Sequence, residues 1–221
     1  MISGTAVYVL WLREMKRFIR AKSRIVGALA MPLFFLAFLG MGFNRMAVPG
    51  MGGGVRYIQF LVPGILGMSL LFSSTMAGLS VLWDREFGFL KEIMVAPVSR
   101  VSIVVGRIAG GTTTALIQSV LILGISFGLG FKVINPIKFL LGLLFMFLIA
   151  VTFIGFGLIF ASRMRDMQGF GIVMNFVIDG LRGTLAGVSS FPIALDLGLM
   201  AGFSVVMIAL GAYFFEKSES V

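Results

Sequence analysis

The chain has 221 residues, of which 59% are hydrophobic, and its mean hydropathy is +1.07. A soluble domain of this size cannot bury so much apolar surface, so the composition indicates an integral membrane protein. The absence of Cys and His excludes disulfides, thiol nucleophiles and most metal sites, and the net charge of +9 is spread over short loops rather than one basic face. We therefore expect no cofactor, no metal and no nucleic-acid partner.

Residues 5–24 are predicted to form an amphipathic helix. Its apolar face holds Tyr8, Trp11, Leu12, Met15, Phe18 and Ile19, and its cationic face holds Arg13, Lys16, Arg17, Arg20 and Arg24. Such a helix is typical of the membrane interface, where apolar side chains reach the acyl boundary and cations meet anionic head groups. The predicted interfacial contacts are Trp11, Arg13, Lys16, Arg17 and Arg20, with membrane lipids as partners. The alternative is a basic flank that only sets the orientation.

Apolar stretches of spanning length follow this helix. They are predicted at about 25–43, 57–83, 99–131 and 137–161, and a last span is predicted at about 197–215. The third stretch contains two glycine pairs, Gly106 with Gly110 and Gly124 with Gly128, and this spacing favours close helix contact in lipid. The second stretch has a weakly polar side, which either allows close helix approach or lines a substrate pathway.

Residues 168–187 predict a weak fifth span. Its apolar opening reaches only Ile178 before Asp179 and Arg182 interrupt it. Eleven helical residues rise about 16 Å, roughly half of a bilayer core. The pattern slightly favours a segment that crosses the membrane, which would place the C-terminal tail in the cytoplasm.

The distribution of cations predicts the orientation. Twelve Lys and Arg residues lie in the N-terminal segment, in the segment around 85–107 and at 163–165, whereas four lie near 45–56 and 132–138. Cytoplasmic loops carry the excess of cations, so the N-terminus is expected in the cytoplasm. The chain is thus predicted to be a multi-pass protein of the plasma (cytoplasmic) membrane, with one transmembrane domain over residues 1–221 and about six spans.

The most charged part of the chain lies between the second and third spans. At 84–96, here called the elbow, Phe87, Leu90, Ile93 and Met94 form one helical stripe opposite charged residues. Pro97 cannot continue this helix, and Ser99 is placed to cap the next one. The pattern predicts a short amphipathic helix that either docks a partner or rests on the membrane surface.

Three stretches of sequence resemble the membrane subunits of type-2 ABC exporters. They are Asp-Arg-Glu-Phe-Gly at 84–88, Ala-Pro-Val-Ser-Arg at 96–100 and Arg-Asp-Met-Gln at 165–168. In that family the elbow is the coupling helix, which docks into a groove of an ATP-hydrolysing partner. The resemblance implies an ATPase contact formed by Asp84, Arg85, Glu86, Phe87, Gly88, Leu90, Lys91, Glu92, Met94 and Pro97.

The resemblance covers most of the chain but breaks near residue 176. Met-Asn-Phe at 174–176 resembles the early fifth span of the family, whereas Asp-Gly-Leu-Arg-Gly at 179–183 resembles text just before the last span. The chain is therefore identified as a family member shortened in the fifth span and the outer hairpin.

The resemblance implies a non-catalytic permease subunit of an ATP-driven exporter of drugs, lipids or lipid-linked glycans. Its expected partners are an ABC ATPase and a second copy of itself or a paralogous permease. The chain contains no Walker-type Gly-x-x-x-x-Gly-Lys-Ser/Thr motif, so ATP hydrolysis is assigned to a partner. The alternatives are a channel or secondary carrier without an ATPase, and an intramembrane enzyme, for which the sequence supplies no catalytic constellation.

Overall fold

The computed structural model describes residues 3–43, 57–86, 99–133, 135–162, 177–187 and 191–217. These residues contain α-helices and no strand, which confirms the predicted all-α class. A short helical segment at 177–186 lies between the fifth and sixth helices and ends in the π-helix Arg182–Ala186. The long helices are α1 Gly4–Arg20, α2 Lys22–Gly42, α3 Tyr57–Glu86, α4 Arg100–Gly128, α5 Pro136–Ser162 and α6 Ile193–Lys217.

Four of the described helices are long and apolar enough to cross a membrane. They are Tyr57–Ser80, Val101–Gly128, Pro136–Leu158 and Ile193–Gly211. A fifth span is reached only if Gly4–Arg20 and Ile25–Gly40, which meet at a bend of 68°, form one broken span. The second, third, fourth and last predicted spans are thus present, whereas the weak fifth is only partly described.

The predicted N-terminal helix at 5–24 is wrong at its C-terminal end. Ala21 leaves helical geometry with φ −89° and ψ 57°, so α1 ends at Arg20 and residues from Lys22 onward belong to α2. No Gly or Pro marks this break in the sequence. The helical periodicity continues through Ala21, so the local pattern alone does not show this break.

Contacts along the helices give their directions. Ser73 of α3 contacts Gln118 of α4, whereas Ala77 lies beside Gly111, so these two helices are antiparallel. Ser204 of α6 contacts Thr152 of α5, and the later Gly211 lies beside Leu158. α5 and α6 consequently run parallel, so α6 begins at the end of the bundle where α5 begins.

Helix α5 is the centre of the core. Phe145, Met146, Ile149 and Phe153 are at most 2% exposed and belong to one cluster that includes residues from every other helix except α1. A close backbone approach joins α3 to α5, since a Cβ on Gly78 would lie 2.5 Å from the carbonyl oxygen of Ile154. The packing of α3 against α5 thus depends on the absence of a side chain at this crossing.

The two glycine pairs of α4 lie in different environments. A Cβ on Gly106 would lie 2.9 Å from the Cβ of Leu10, and one on Gly110 would lie 2.7 Å from the Cβ of Glu14. Close helix contact is therefore confirmed for the first pair, and the partner is α1. A Cβ on Gly124 or Gly128 would meet no neighbouring heavy atom of the described residues within 4 Å, so close helix contact stays a prediction for the second pair.

Candidate functional site

Helix α3 continues past the apolar span Tyr57–Ser80 into the start of the elbow. It has 30 residues and is therefore about 45 Å long, whereas a bilayer core is about 30 Å thick. Asp84, Arg85 and Glu86 form its last turn, so the predicted boundary after Trp83 does not interrupt the helix. The other predicted ATPase contacts lie outside the described residues. They are Phe87, Gly88, Leu90, Lys91, Glu92, Met94 and Pro97.

The chain leaves the elbow through a capped helix start. The Oγ of Ser99 accepts a hydrogen bond from the backbone N–H of Ser102 at 3.3 Å, which confirms the predicted cap of α4. The two hydroxyl groups also lie 2.7 Å apart, and the Ser102 Oγ accepts from the backbone N–H of Ser3 at 2.9 Å. The first turn of α4 is thereby joined to the start of α1.

A buried ion pair joins the same two helices one to two turns further along. The Nη1 of Arg107 donates to the Oε1 of Glu14 at 2.7 Å, and Arg107 is only 5% exposed. Charged groups are stable at such burial only when they are paired. Sequence reasoning missed this pair because it placed Arg107 among the loop cations and assigned no role to Glu14.

A third polar contact joins α1 to α4. The indole Nε1 of Trp11 donates to the Oγ1 of Thr113 at 3.0 Å. The α1–α4 seam is defined here by the pairs Ser3–Ser102, Glu14–Arg107 and Trp11–Thr113, together with the close packing at Gly106 and Gly110. Trp11, which the sequence assigned to lipid contact, is thus half-buried with its polar atom turned to α4.

The remaining predicted interfacial residues lie together on a different side of α1. Arg13, Lys16, Arg17 and Arg20 line, with Ala21, a groove of about 500 Å³ at the bend before α2. Arg13 and Arg17 are half-buried, whereas Lys16 and Arg20 are exposed. The structure therefore brings four of the five predicted interfacial residues into one cationic surface, here called the cationic groove.

A second polar cluster lies near the opposite end of the bundle. The guanidinium of Arg182 lies 3.7 Å from the ring centroid of Phe60, and the Oδ2 of Asp179 accepts from the backbone N–H of Phe191 at 3.1 Å. Asp196 of α6 is fully buried, and neither of its carboxylate oxygens has a hydrogen-bond partner among the described residues. Those residues contain no group of three or more potential metal ligands.

Sequence reasoning missed Asp196 because it began the last span at Leu197. Helix α6 begins at Ile193, so the carboxylate belongs to its first turn and not to the preceding loop. The Pro192 carbonyl accepts from the backbone N–H of Leu195 at 2.8 Å. The Phe-Pro dipeptide at 191–192 is the signal that indicates this earlier start, since Pro is common at helix N-termini.

The sequence of this chain is similar to that of a known family of membrane proteins. A family model described as ABC-2 type transporter matches residues 5–179, a stretch that contains α1, the elbow and the first four predicted spans. The match ends at Asp179, within the segment where the sequence departs from the exporter pattern. No solved structure matches the chain.

Named relatives are permeases. The inner membrane transport permease YadH of Escherichia coli K12 is 28% identical over 180 residues, which are 80% of this chain and 68% of the relative. The putative transport permease ycf38 of Cyanophora paradoxa is 29% identical over 157 residues, covering 69% and 54% of the two chains. The probable doxorubicin resistance ABC transporter permease DrrC of Mycobacterium tuberculosis is 27% identical over 120 residues, covering 54% and 43%.

Proposed function

Because the chain belongs to the ABC-2 type transporter family, we propose that this transport permease is the membrane subunit of an exporter driven by a separate ABC ATPase. The permease itself is non-catalytic, and hydrolysis takes place in the partner. The elbow is the contact with that partner, through Asp84 to Glu86 at the end of α3 and through the following residues up to Pro97.

The observation that supports coupling is the α1–α4 seam. Helix α4 begins directly after the elbow, and its first four turns are joined to α1 by three polar contacts and two close glycine contacts. A displacement of the elbow would therefore move α1 together with α4. Since α1 leads into α2 through the bend at Ala21, the movement would also reach α2.

The proposed substrate is amphiphilic: a drug, a lipid or a lipid-linked glycan. The bundle interior supports this class because it combines apolar walls with scattered hydroxyl and amide groups, such as the Ser73–Gln118 pair with Oγ and Oε1 at 2.6 Å. The relative DrrC is named for doxorubicin resistance, which favours a small amphiphile among the three classes.

A second permease copy, identical or paralogous, is proposed to complete the pathway. Gly124 and Gly128 on α4 have open space beside them, and Val120, Leu121 and Ile125 on the same helix are exposed. Small residues on an exposed apolar helix face allow another helix to approach closely in lipid. This face is suited to a dimer contact.

The proposed location is the plasma (cytoplasmic) membrane, with the N-terminus in the cytoplasm. The excess of cations at the N-terminus and elbow supports this orientation. Gly78, near the end of α3, lies beside Ile154 and Gly157, near the end of α5, and α6 runs parallel to α5. The end of α6 therefore lies at the same end of the bundle as the elbow. The C-terminal tail is thereby proposed to be cytoplasmic.

A channel or secondary carrier without an ATPase is the second candidate. The observation that favours it is the cluster of Asp179, Arg182 and Asp196, since ionisable groups within a membrane protein often mark an ion or substrate path. The presence or absence of a Walker-motif ATPase in the neighbouring reading frame distinguishes the two candidates.

The direct test is co-purification of the permease with that ATPase. We expect Glu92→Lys combined with Met94→Asp to abolish co-purification while membrane insertion is unchanged. The matched control is Lys132→Glu with Asn135→Asp, which also reverses one charge and adds one carboxylate but does so on exposed residues at the other end of the bundle. Retention of the ATPase by the elbow variant would show that docking lies elsewhere.

A further inference from the structure

The buried carboxylate of Asp196 lies well inside the end of the bundle that is opposite the elbow. Ser204 of α6 contacts Thr152 of α5, and the two helices are parallel. Asp196 comes eight residues before Ser204, so it lies level with Leu144 of α5. Leu144 is in turn eight residues from Pro136, where α5 begins. The carboxylate is therefore about 12 Å along the bundle from that end.

Two further charged groups lie at a similar depth, on the helical segment at 177–186. An Nη atom of Arg182 would lie 3.6 Å from a Cβ on Gly64, which is seven residues, or about 10 Å, from the start of α3. Asp179 interacts electrostatically with both Arg182 and Asp196. The three side chains thus form one cluster, at a depth where a bilayer consists of hydrocarbon.

The charges of this cluster do not cancel. Two carboxylates are present with one guanidinium, and the guanidinium of Arg182 lies on the ring of Phe60, 3.7 Å from its centroid. Asp179 accepts a hydrogen bond from the backbone N–H of Phe191. Neither carboxylate oxygen of Asp196 has a hydrogen-bond partner among the described residues, although the side chain is fully buried. A buried charge without a partner is unstable, and a bound cation would stabilise it.

The surroundings of the cluster indicate the kind of cation. Val177, Leu181, Leu185 and Met200, which neighbour the cluster on the same helices, are at most 1% exposed and belong to the central core. Hard inorganic cations take about six or more oxygen ligands, whereas the described part of the cluster supplies two carboxylates. An organic cation needs fewer ligands, because its apolar substituents pack against apolar walls while a few polar groups fix its orientation.

We propose that Asp196 binds the cationic nitrogen of the transported amphiphile, which is then an amine or a quaternary ammonium compound. Asp179 already faces Arg182 and Phe191, and this leaves the carboxylate of Asp196 for the ligand. The inference rests on the proposed export function and narrows its substrate class. It differs from the carrier alternative, in which the cluster would bind a small ion.

The test measures the binding of tetraphenylphosphonium, a permanently cationic amphiphile, to the purified permease in detergent. Asp196→Asn should weaken binding about tenfold or more, because asparagine has the same shape without the charge. Asp196→Glu keeps the charge and should bind within about threefold of the parent. Equal binding by the parent and Asp196→Asn would overturn the proposal.

A control variant separates this site from the net charge of the protein. Glu216→Gln removes one carboxylate from the far end of the same helix and should leave binding unchanged. Thermal unfolding shows whether each variant is folded, and tetraphenylphosphonium should raise the unfolding midpoint of the parent but not that of Asp196→Asn. An equal loss of binding in Glu216→Gln and Asp196→Asn would contradict a specific site.

Two measurements on the parent protein need no substitution. Tetraphenylborate has nearly the same shape and the opposite charge, and it should bind about tenfold more weakly or worse in a separate thermal-shift titration. Similar binding of the two ions would contradict recognition of the positive charge. Displacement of tetraphenylphosphonium by low millimolar sodium would show an alkali-ion site, which would also contradict the proposal. The ATPase is absent from all of these measurements, so their failure is distinguishable from a failure of docking at the elbow.

Discussion

Arg107 and Glu14 are 93 residues apart in the sequence and form a buried ion pair in which Nη1 and Oε1 are separated by 2.7 Å. The pair joins the helix that follows the elbow to the helix that begins the chain. It lies within a seam whose other polar contacts are Ser3–Ser102 and Trp11–Thr113. Through these contacts, a movement of the elbow would be transmitted from α4 to α1.

Removal of the carboxylate should release α1 from α4. We expect Glu14→Gln to lower the free energy of unfolding by about 3 kcal/mol, because the buried Arg107 guanidinium then has no counter-charge at this position. The measurement is thermal unfolding of the purified permease in detergent. Arg20→Gln, at the exposed end of α1, is the control and should have little effect. Equal shifts in the two variants would contradict a structural role for the pair.

A double substitution separates the loss of charge from the loss of packing. Glu14→Leu with Arg107→Met replaces the ion pair by apolar side chains of similar size. Stability should return close to that of the parent, since replacing both partners of a buried pair is often neutral. A double variant as unstable as Glu14→Gln would indicate that the hydrogen-bond geometry itself is required.

The two glycine pairs of α4 should respond differently to the same substitution. Gly110→Ala places a Cβ where only 2.7 Å separates it from the Glu14 Cβ, so we expect a loss of about 1–3 kcal/mol. Gly124→Ala meets open space and should be neutral or stabilising by up to about 1 kcal/mol. Thermal unfolding of the monomeric permease measures both. A greater loss at Gly124 would place a neighbouring helix there and not at Gly110.

The buried carboxylate of Asp196 should destabilise the isolated permease. Asp196→Leu is expected to raise the free energy of unfolding by about 1–3 kcal/mol, because a buried charged or polar group without a partner costs free energy. Thr152→Val is the comparison, since it removes the hydroxyl contact with Ser204 at 2.7 Å and should cost about 1 kcal/mol. A loss of stability in Asp196→Leu would show that the carboxylate has a stabilising partner.

Cysteine labelling tests the position of α1, because the chain has no native cysteine. In membranes, a water-soluble thiol reagent should modify Lys16→Cys rapidly and Ile19→Cys slowly, although both positions are exposed in the protein. Met15→Cys is not informative, because packing already buries Met15 to 8% exposure. Equal rates at residues 16 and 19 would contradict the interfacial position.

Local patterns predicted the features that depend on neighbouring residues. The cap at Ser99 and the spans starting near Tyr57 and Pro136 follow from turn chemistry and from unbroken apolar runs. The gathering of four cations on one face of α1 follows from helical spacing. Each of these features depends only on residues that are close together in the sequence, within about one helix.

Features that depend on distant contacts were not predictable. Gly106–Gly110 and Gly124–Gly128 have the same spacing, yet only the first pair contacts α1. The Glu14–Arg107 pair joins residues from separate elements, and either residue alone is an ordinary interfacial charge. The break at Ala21 is not marked by a Gly or a Pro in the sequence.

Cross-linking at the elbow tests the central claim, which is that this permease docks an ABC ATPase through the segment after α3. Leu90→Cys is introduced into the cysteine-free chain and treated in membranes with a short thiol–amine cross-linker, and Asn135→Cys in the turn before α5 is the control. The proposed function predicts a cross-linked product of permease and ATPase from Leu90→Cys and none from Asn135→Cys. Equal cross-linking at both positions, or none at Leu90, would contradict it.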